Sequence, residues 1–331
     1  MDKQTFALIP RIFAIGSEEE FTKVALDIFR LQAAQNAVYG EFIRLLGKTP
    51  ASVSRIEEIP FLPIEFFKTH RIITGTRPVE LVFESSGTTG QTPSRHYIAD
   101  KSLYEKSLTA AFHIFLGNPK DFCILALLPS YLDRSHSSLV YMVNHLMQLS
   151  AHPKQGFFLY AFDQLHQSLL ELEECSQKTL LLGVSFALLD FAEQFPLPLR
   201  HTTVMETGGM KGRGKEITRA ELHERLMKSF GTDRICSEYG MTELLSQAYA
   251  LKNGLFRCPP WMRILIRDPY DPASFLPYGK TGAINVIDLT NVYSCSFIQT
   301  GDLGKLYPDG TFEVLGRMDT AELRGCNLLA G

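Results

Sequence analysis

The feature that most constrains the fold is an alternation of apolar, strand-like runs with helical patterns along the middle of the chain. Short runs rich in apolar and β-branched residues occur in "FCILALL" at 122–128, "TLLLGV" at 179–184 and "HTTVMET" at 201–207. Between them lie segments with the apolar repeat of an amphipathic helix. This alternation is typical of a mainly parallel sheet that helices cover on both faces. The sequence therefore predicts an α/β fold.

The helices are predicted from apolar spacing and from start signals. Thr218 is followed three residues later by Glu221, which is the pattern of a capping box. Ser137 is expected to cap another helix. The expected helical segments are 18–46, 100–116, 137–149, 163–175, one from 185 and one from 218.

After about residue 255 the helical patterns stop. The runs "WMRILIRD", "GAINVID" and "SCSFIQT" are β-type, and "YPDGTFEVL" has Pro-Asp-Gly at the turn of an expected hairpin. The sequence therefore predicts two domains. Residues 1–255 would form a large α/β core with an N-terminal helical segment, and residues 256–331 a smaller β-rich subdomain.

Composition narrows the class of function. The net charge of -3 over 331 residues gives none of the basic character of a nucleic-acid-binding protein. The six cysteines show no C-x-x-C spacing, which argues against a zinc site and against a disulfide framework. No apolar run approaches the roughly 20 residues that span a bilayer, and the N-terminus lacks a signal-peptide pattern. We expect a cytoplasmic protein without a membrane span.

A loop rich in glycine and hydroxyl residues, "SSGTTGQTPS" at 85–94, lies between two predicted strands. Such a loop can present several backbone N–H groups and hydroxyls to phosphate oxygens. A solvated hairpin turn is the alternative for this stretch taken alone. A nucleotide P-loop is excluded, because that motif needs a lysine where this chain has Gln91.

A second candidate stretch, "SEYGMTELLSQ" at 237–247, follows a β-run at the expected carboxyl edge of the sheet, where ligands bind. Tyr239 offers a ring for stacking on a purine, Thr242 a hydroxyl for phosphate, and Glu243 a carboxylate for Mg²⁺. The alternative is a plain strand–turn–helix connection with Glu243 in the first helical turn.

Two further stretches follow in the β-rich part. In "QTGDLGKL" at 299–306, the carboxylate of Asp302 could accept both hydroxyls of a ribose; otherwise Gly-Asp is a turn. In "GRMDTAELRG" at 316–325, Arg317 and Asp319 follow a predicted strand.

These four stretches, in this order, resemble the core motifs of the adenylate-forming superfamily. That superfamily includes acyl- and aryl-CoA ligases, peptide-synthetase adenylation domains and firefly luciferase. The resemblance runs from about residue 58 to 326. Within the superfamily, "PFLPIEFFKTHRI", "LLPSYLDRSHSSLVYMV" and "ETGGMKGRGKEITRAEL" are most similar to the acyl-protein synthetases, the fatty-acid-activating components of bacterial bioluminescence reductase complexes.

The resemblance implies activation of a carboxylic acid, with a fatty acid as the expected substrate, as acyl-AMP. ATP and Mg²⁺ are the implied cofactors. By that analogy the first loop holds the β- and γ-phosphates, and "TGG" at 207–209 lines the adenine and acyl pocket with backbone. The implied cofactor-binding residues are Ser86, Gly87, Thr88, Thr89, Gly90, Gly208, Gly209, Tyr239, Gly240, Met241, Asp302 and Arg317.

The implied catalytic residues are Thr242 at the α-phosphate, Glu243 as the Mg²⁺ ligand, Lys211 and Cys326. Members of the superfamily usually carry a mobile C-terminal domain whose lysine contacts the reacting carboxylate. This chain ends at Gly331, so slow adenylation is expected unless Lys211 or a partner subunit takes the place of that lysine. Cys326 is the residue placed to accept the acyl group as a thioester, with inert packing as the alternative.

Two other functions stay open. The first is ligation of the acyl group to free coenzyme A or to a carrier-protein pantetheine, as in an acyl- or aryl-CoA ligase. The second is a non-catalytic subunit that binds nucleotide or acyl ligand without turnover.

Overall fold

The computed structural model describes residues 3–85, 92–128, 136–208 and 217–318. Within these ranges no helix combines the length and the apolar character needed to cross a membrane. The α-helices are α1 Lys3–Phe13, α2 Glu18–Gln35, α3 Ala37–Leu45, α4 Phe66–Thr69, α5 Lys101–Phe115, α6 Ser138–Ser150, α7 Phe162–Glu174, α8 Ser185–Gln194 and α9 Arg219–Phe230. The strands are β1 Leu62–Pro63, β2 Leu81–Glu84, β3 Arg95–Ile98, β4 Cys123–Leu127, β5 Gly156–Phe157, β6 Thr179–Val184, β7 Thr202–Thr207, β8 Cys236–Tyr239, β9 Ala248–Ala250, β10 Phe256–Arg257, β11 Met262–Arg267, β12 Thr281–Asp288, β13 Phe297–Leu306 and β14 Phe312–Arg317.

The described chain divides into two compact units. Unit 1 comprises the described residues of 1–82, 87–101 and 258–331, and unit 2 those of 83–86 and 102–257. The division groups the N-terminal helices with the C-terminal strands. The sequence-based division into domains 1–255 and 256–331 stays a prediction.

Unit 2 is built on a mainly parallel sheet in the order β5-β4-β6-β7-β8-β9-β10. The five strands from β5 to β8 run parallel, and β9 and β10 continue the sheet in antiparallel fashion. Every residue of β4 and β6 is buried, as expected where helices cover both faces of a parallel sheet. The predicted α/β fold is confirmed, and α5 to α9 lie within one or two residues of their predicted positions.

Unit 1 contains an antiparallel sheet in the order β11-β12-β13-β14, with the short β1 parallel to the first part of β13. The predicted Pro-Asp-Gly hairpin is confirmed between β13 and β14. Gly310 has a φ of 78°, which favours glycine, and its N–H donates to the carbonyl of Tyr307 at 3.0 Å. β13 continues through "TGD", so the alternative of a Gly-Asp turn there is wrong.

The helical character predicted over 18–46 is confirmed, and the segment forms two helices, α2 and α3, with Asn36 between them. Asn36 is extended, and its side-chain oxygen accepts from the N–H of Tyr39 at 3.0 Å to start α3. Its side-chain nitrogen donates to the carbonyl of Ser294 at 2.9 Å. The buried Gln32 donates to the carbonyl of Asn291 at 2.9 Å. These amide contacts fasten the N-terminal helices to the C-terminal part of unit 1.

Candidate functional site

The strands β7 and β8 end side by side at one edge of the sheet of unit 2. They are parallel, and their register pairs Glu206 with Ser237 and Thr207 with Glu238. The chain therefore leaves both strands at the same edge, which is where open α/β sheets bind ligands. Gly208 follows β7 with a φ of 68°, and its carbonyl accepts from the Ser185 hydroxyl at 2.6 Å.

The stretch after β8 is a turn that leads into the antiparallel strand β9. Leu244 donates its N–H to the carbonyl of Met241 at 3.1 Å, and no helix forms within 240–247. The alternative of a strand–turn–helix connection is therefore wrong. Thr242 is half-buried in this turn, and Glu243 is buried.

Tyr239 is the last residue of β8 and is 8% exposed. Its ring packs against Phe256, with ring centroids 6.0 Å apart at 64°. This edge contact is a favoured geometry for two aromatic rings. The position of the Tyr239 ring is therefore set by the protein itself.

Gly240 is required by its surroundings. A Cβ atom at this position would lie 2.5 Å from Oε1 of Glu238 and 3.4 Å from Cγ of Gln247. Any side chain at 240 would displace the Glu238 carboxyl group, which is buried and hydrogen-bonded to Thr207 of the neighbouring strand β7. The loop 240–247 is thus flanked by two buried polar side chains, Glu238 before it and Gln247 at its end.

Glu206 is a buried carboxylate and the second-last residue of β7. Arg219 donates from Nε to Glu206 at 2.9 Å, and Nε2 of His223 lies 3.5 Å from the same oxygen. The Ser185 hydroxyl oxygen lies 3.3 Å from the other oxygen of Glu206. Burial alone would raise the pKa of Glu206, but the His223 hydrogen bond and the Arg219 charge outweigh it and lower the pKa. Glu206 is thus held as an anion.

Glu238 is the neighbouring buried carboxyl group and has a different environment. The Thr207 hydroxyl donates to its Oε2 at 2.5 Å. The pKa of Glu238 is raised to about 7: burial raises it, the Thr207 hydrogen bond lowers it by less, and the charge of the nearby Glu206 adds to the rise. At neutral pH this group is close to half-protonated, unlike Glu206.

Sequence reasoning missed Glu206, Glu238 and Gln247. Acidic residues at strand ends are usually solvated, so neither glutamate stood out. A signal was present, since the second-last residue of each strand is a glutamate that stands two residues before a glycine, in "ETG" and in "EYG". A glycine at that spacing makes room for a carboxyl group at the strand end in the second case.

Asp302 and Arg317 come together in unit 1. The register of β13 and β14 pairs them, and Nε of Arg317 lies 3.6 Å from Oδ1 of Asp302. The Asp302 side chain is 14% exposed and that of Arg317 is 89% exposed. An ion pair with so exposed an arginine adds little stability. The head group of Arg317 therefore stays largely in contact with solvent.

The backbone of Asp302 is fixed by a buried arginine in β11. Nη2 of Arg267 donates to the carbonyl of Thr300 at 2.9 Å. The Thr300 hydroxyl donates to the carbonyl of Ile284 at 2.8 Å and accepts from the N–H of Asp302 at 3.1 Å. Burial lowers the pKa of Arg267 to about 10. Sequence reasoning did not single out Arg267, because an arginine at a strand end is usually exposed.

Several predicted site residues lie outside the described residues. They are Ser86, Gly87, Thr88, Thr89, Gly90, Gly209, Lys211 and Cys326. Their proposed roles stay predictions from sequence.

A family model described as "Acyl-protein synthetase, LuxE" matches residues 10–330. The chain belongs to the acyl-protein synthetase family. This match covers nearly the whole chain and includes the β7 and β8 edge as well as Asp302 and Arg317. No curated protein sequence matches the chain.

Among solved structures, the chain is similar to an open conformation of 2-hydroxyisobutyryl-CoA ligase in complex with 2-HIB-AMP and CoA. The TM-score is 0.69 at 14% identity, over 91% of this chain and 71% of that one. It is also similar to ATP-bound MatB from Rhodopseudomonas palustris, with a TM-score of 0.56 at 19% identity, over 73% of this chain and 49% of that one. The chain thus spans about half the length of MatB. At these identities the likeness shows a shared fold.

Proposed function

We propose that this acyl-protein synthetase family member activates a carboxylic acid, with a fatty acid as the expected substrate, and passes the acyl group to a protein thiol. A carboxylate oxygen attacks the α-phosphorus of ATP, the bond to the β-phosphate oxygen breaks, and pyrophosphate leaves. A thiolate then attacks the acyl carbonyl, and AMP leaves with the bonding electrons. The observation that carries the proposal is the family match over residues 10–330. A cytoplasmic location belongs to the proposal, because the reaction needs ATP and a reduced thiol.

The edge formed by β7 and β8 supports the first half-reaction. Tyr239, already held by Phe256, would lie against adenine, and Gly208 would line the pocket with backbone. Thr242 would contact the α-phosphate from the turn. In such a reaction the protein acts by positioning the reactants and by stabilising developing charge. ATP as the nucleotide is supported by the ATP-bound MatB to which the fold is similar.

The remaining nucleotide contacts would come from other segments. Asp302 would accept the ribose hydroxyls, and the exposed Arg317 would reach the ribose or a phosphate. The loop of Ser86, Gly87, Thr88, Thr89 and Gly90 would hold the β- and γ-phosphates, with Gly209, Gly240 and Met241 completing the binding segments. Lys211, or a partner subunit, would contact the reacting carboxylate.

Magnesium fits this site through Glu243. Within the described ranges, no three acidic, histidine or cysteine side chains form a metal-holding group. Mg²⁺ bound to nucleotides usually needs one or two carboxylates, because phosphate oxygens and water complete its shell. Glu243 would supply that carboxylate from the turn beside Thr242. When bound, the ion would neutralise charge on the phosphates.

Cys326 is the proposed acyl acceptor within the chain. A thiol reacts as its thiolate, and burial disfavours that form. Burial raises the pKa of Cys123 to about 12, that of Cys236 to about 11 and that of Cys295 to about 12. These three thiols are poor acceptors. Cys175 is exposed and provides a matched control.

Ligation to coenzyme A is a second candidate. It is favoured by the similarity to 2-hydroxyisobutyryl-CoA ligase, a structure that contains CoA. The first half-reaction is the same in both candidates, and only the acceptor differs.

ATP–pyrophosphate exchange with a panel of fatty and aryl acids tests the first half-reaction. We expect exchange with at least one acid, and its loss in Glu243→Ala while circular dichroism shows an intact fold. The matched control is Glu224→Ala, an exposed glutamate of α9, which should exchange like the wild type. No exchange with any acid would favour a non-catalytic binding subunit. Two further assays separate the acceptors. Formation of acyl-CoA after addition of coenzyme A would indicate the coenzyme, and detection of acylated protein would indicate a protein thiol.

A further inference from the structure

We propose that Glu238 is a positioning residue that closes the loop 240–247 by donating a hydrogen bond, as an uncharged carboxyl group, to Oε1 of Gln247. The loop carries Thr242 and Glu243, so the inference rests on the proposed nucleotide site.

The side chains of Glu238 and Gln247 both lie next to the position that a Cβ atom on Gly240 would occupy. A Cβ on Gly240 would lie 2.5 Å from Oε1 of Glu238 and 3.4 Å from Cγ of Gln247. Gln247 is 4% exposed, and its Oε1 receives no hydrogen bond from any residue that the structure describes. A buried acceptor without a donor is costly, which makes a nearby donor valuable.

A carboxyl group donates a hydrogen bond only when it is protonated. Oε2 of Glu238 already accepts from the Thr207 hydroxyl. Oε1, which faces Gly240, is then the oxygen free to carry the proton toward Gln247. The hydrogen bond would join the end of β8 to the residue that precedes β9.

The surroundings of Glu238 favour the uncharged form. On β7 the neighbouring charge is that of Glu206, and Arg219 and His223 are both engaged with Glu206. On β9 the register partner is Tyr249, whose pKa is raised above its ordinary value by burial and by Glu238. None of the described residues gives Glu238 a cationic partner. Ionisation would therefore leave a buried negative charge uncompensated.

Loss of this proton has two consequences for the loop. The hydrogen bond to Gln247 disappears, since two acceptors then face each other. A negative charge also appears beside a loop proposed to bind anionic phosphate. Because the pKa of Glu238 is raised to about 7, both effects fall within the neutral range of pH.

Calorimetry with 5′-O-sulfamoyladenosine tests the inference, since this adenosine analogue has no phosphate that titrates near neutral pH. If only the protonated form binds, the affinity of the wild type should fall by up to about thirtyfold between pH 6 and pH 8.5. Glu238→Gln keeps a donor at every pH, so its affinity should stay level. The control Glu224→Gln should follow the wild type. Level binding by the wild type, or an unchanged fall in Glu238→Gln, would overturn the inference.

Infrared spectra of the free protein separate this inference from the proposed function. A protonated carboxyl band should be present at pH 6, be lost by pH 8.5, and be absent at both pH values in Glu238→Gln. If the analogue fails to bind the wild type at any pH while this band behaves as expected, the proposed nucleotide site is wrong. The protonation of Glu238 would still be supported. If the band is missing at pH 6, the inference itself is wrong.

Discussion

Replacing Glu238 by glutamine should change how the stability of the protein depends on pH. The pKa of Glu238 is raised from its ordinary 4.5 to about 7, chiefly by burial, so the folded protein holds this proton more tightly than the unfolded chain. The stability that this proton provides is fully present below about pH 4.5 and is lost as the pH rises through 7. A difference of about 2.5 in pKa corresponds to about 3 kcal/mol, of which about 2.5 kcal/mol falls between pH 5 and pH 8.

Urea unfolding at several pH values measures this effect. The free energy of unfolding of the wild type, minus that of Glu238→Gln, should fall by about 2.5 kcal/mol from pH 5 to pH 8. The subtraction removes other titrating groups, including Glu206, whose lowered pKa acts only at acid pH. Unfolding should be followed by circular dichroism, which reports on the whole chain. Tryptophan fluorescence would report on unit 1, because Trp261 is the single tryptophan and lies there, whereas Glu238 lies in unit 2. A difference that stays constant with pH would refute the raised pKa of Glu238.

Three further predictions concern other residues. Asp302→Ala should weaken ATP binding by about tenfold or more, measured by calorimetry, because two ribose hydroxyls lose their acceptor; unchanged affinity would remove Asp302 from the site. Arg219→Met should lower the free energy of unfolding by about 3 kcal/mol in urea, because it leaves the buried Glu206 without its closest cation; a change below about 1 kcal/mol would contradict this. Cys326→Ser should stop self-acylation seen by mass spectrometry while exchange continues, whereas the control Cys175→Ser should still be acylated; acylation that persists in Cys326→Ser would exclude that thiol.

Much of the fold of unit 2 could be predicted, because its strands and helices are distinguished by local patterns. The buried strand β6 is a continuous apolar run, and Thr218 caps α9 by accepting from the N–H of Glu221 at 3.2 Å. Local patterns also placed the hairpin between β13 and β14. The break at Asn36 was not predictable in this way, because its side chain is satisfied by Ser294, far along the chain. Packing over such a separation leaves no local periodicity.

In the candidate site, too, contacts between residues far apart in the sequence could not be predicted from local patterns. Tyr239, Thr242 and Glu243 stand in one short stretch that resembles a nucleotide-binding motif, so the sequence alone suggests them as site residues, and their roles stay predictions. Glu206 and Glu238 could not be predicted, because their roles depend on β7 and β8 lying side by side. Only that register brings Thr207 to Glu238.

The neighbours of the two buried glutamates at this edge shift their pKa values in opposite directions: that of Glu206 is lowered and that of Glu238 is raised. Glu206 has Arg219 at 2.9 Å and stays charged, so it can hold α9 to the end of β7 at any neutral pH. Glu238 has a hydroxyl but no cation among the described residues, and the charge on Glu206 makes its own ionisation harder. Removing the charge of Glu206 should therefore lower the pKa of Glu238. A Glu206→Gln variant that left the infrared titration of Glu238 unmoved would show that the charge of Glu206 does not contribute to that pKa.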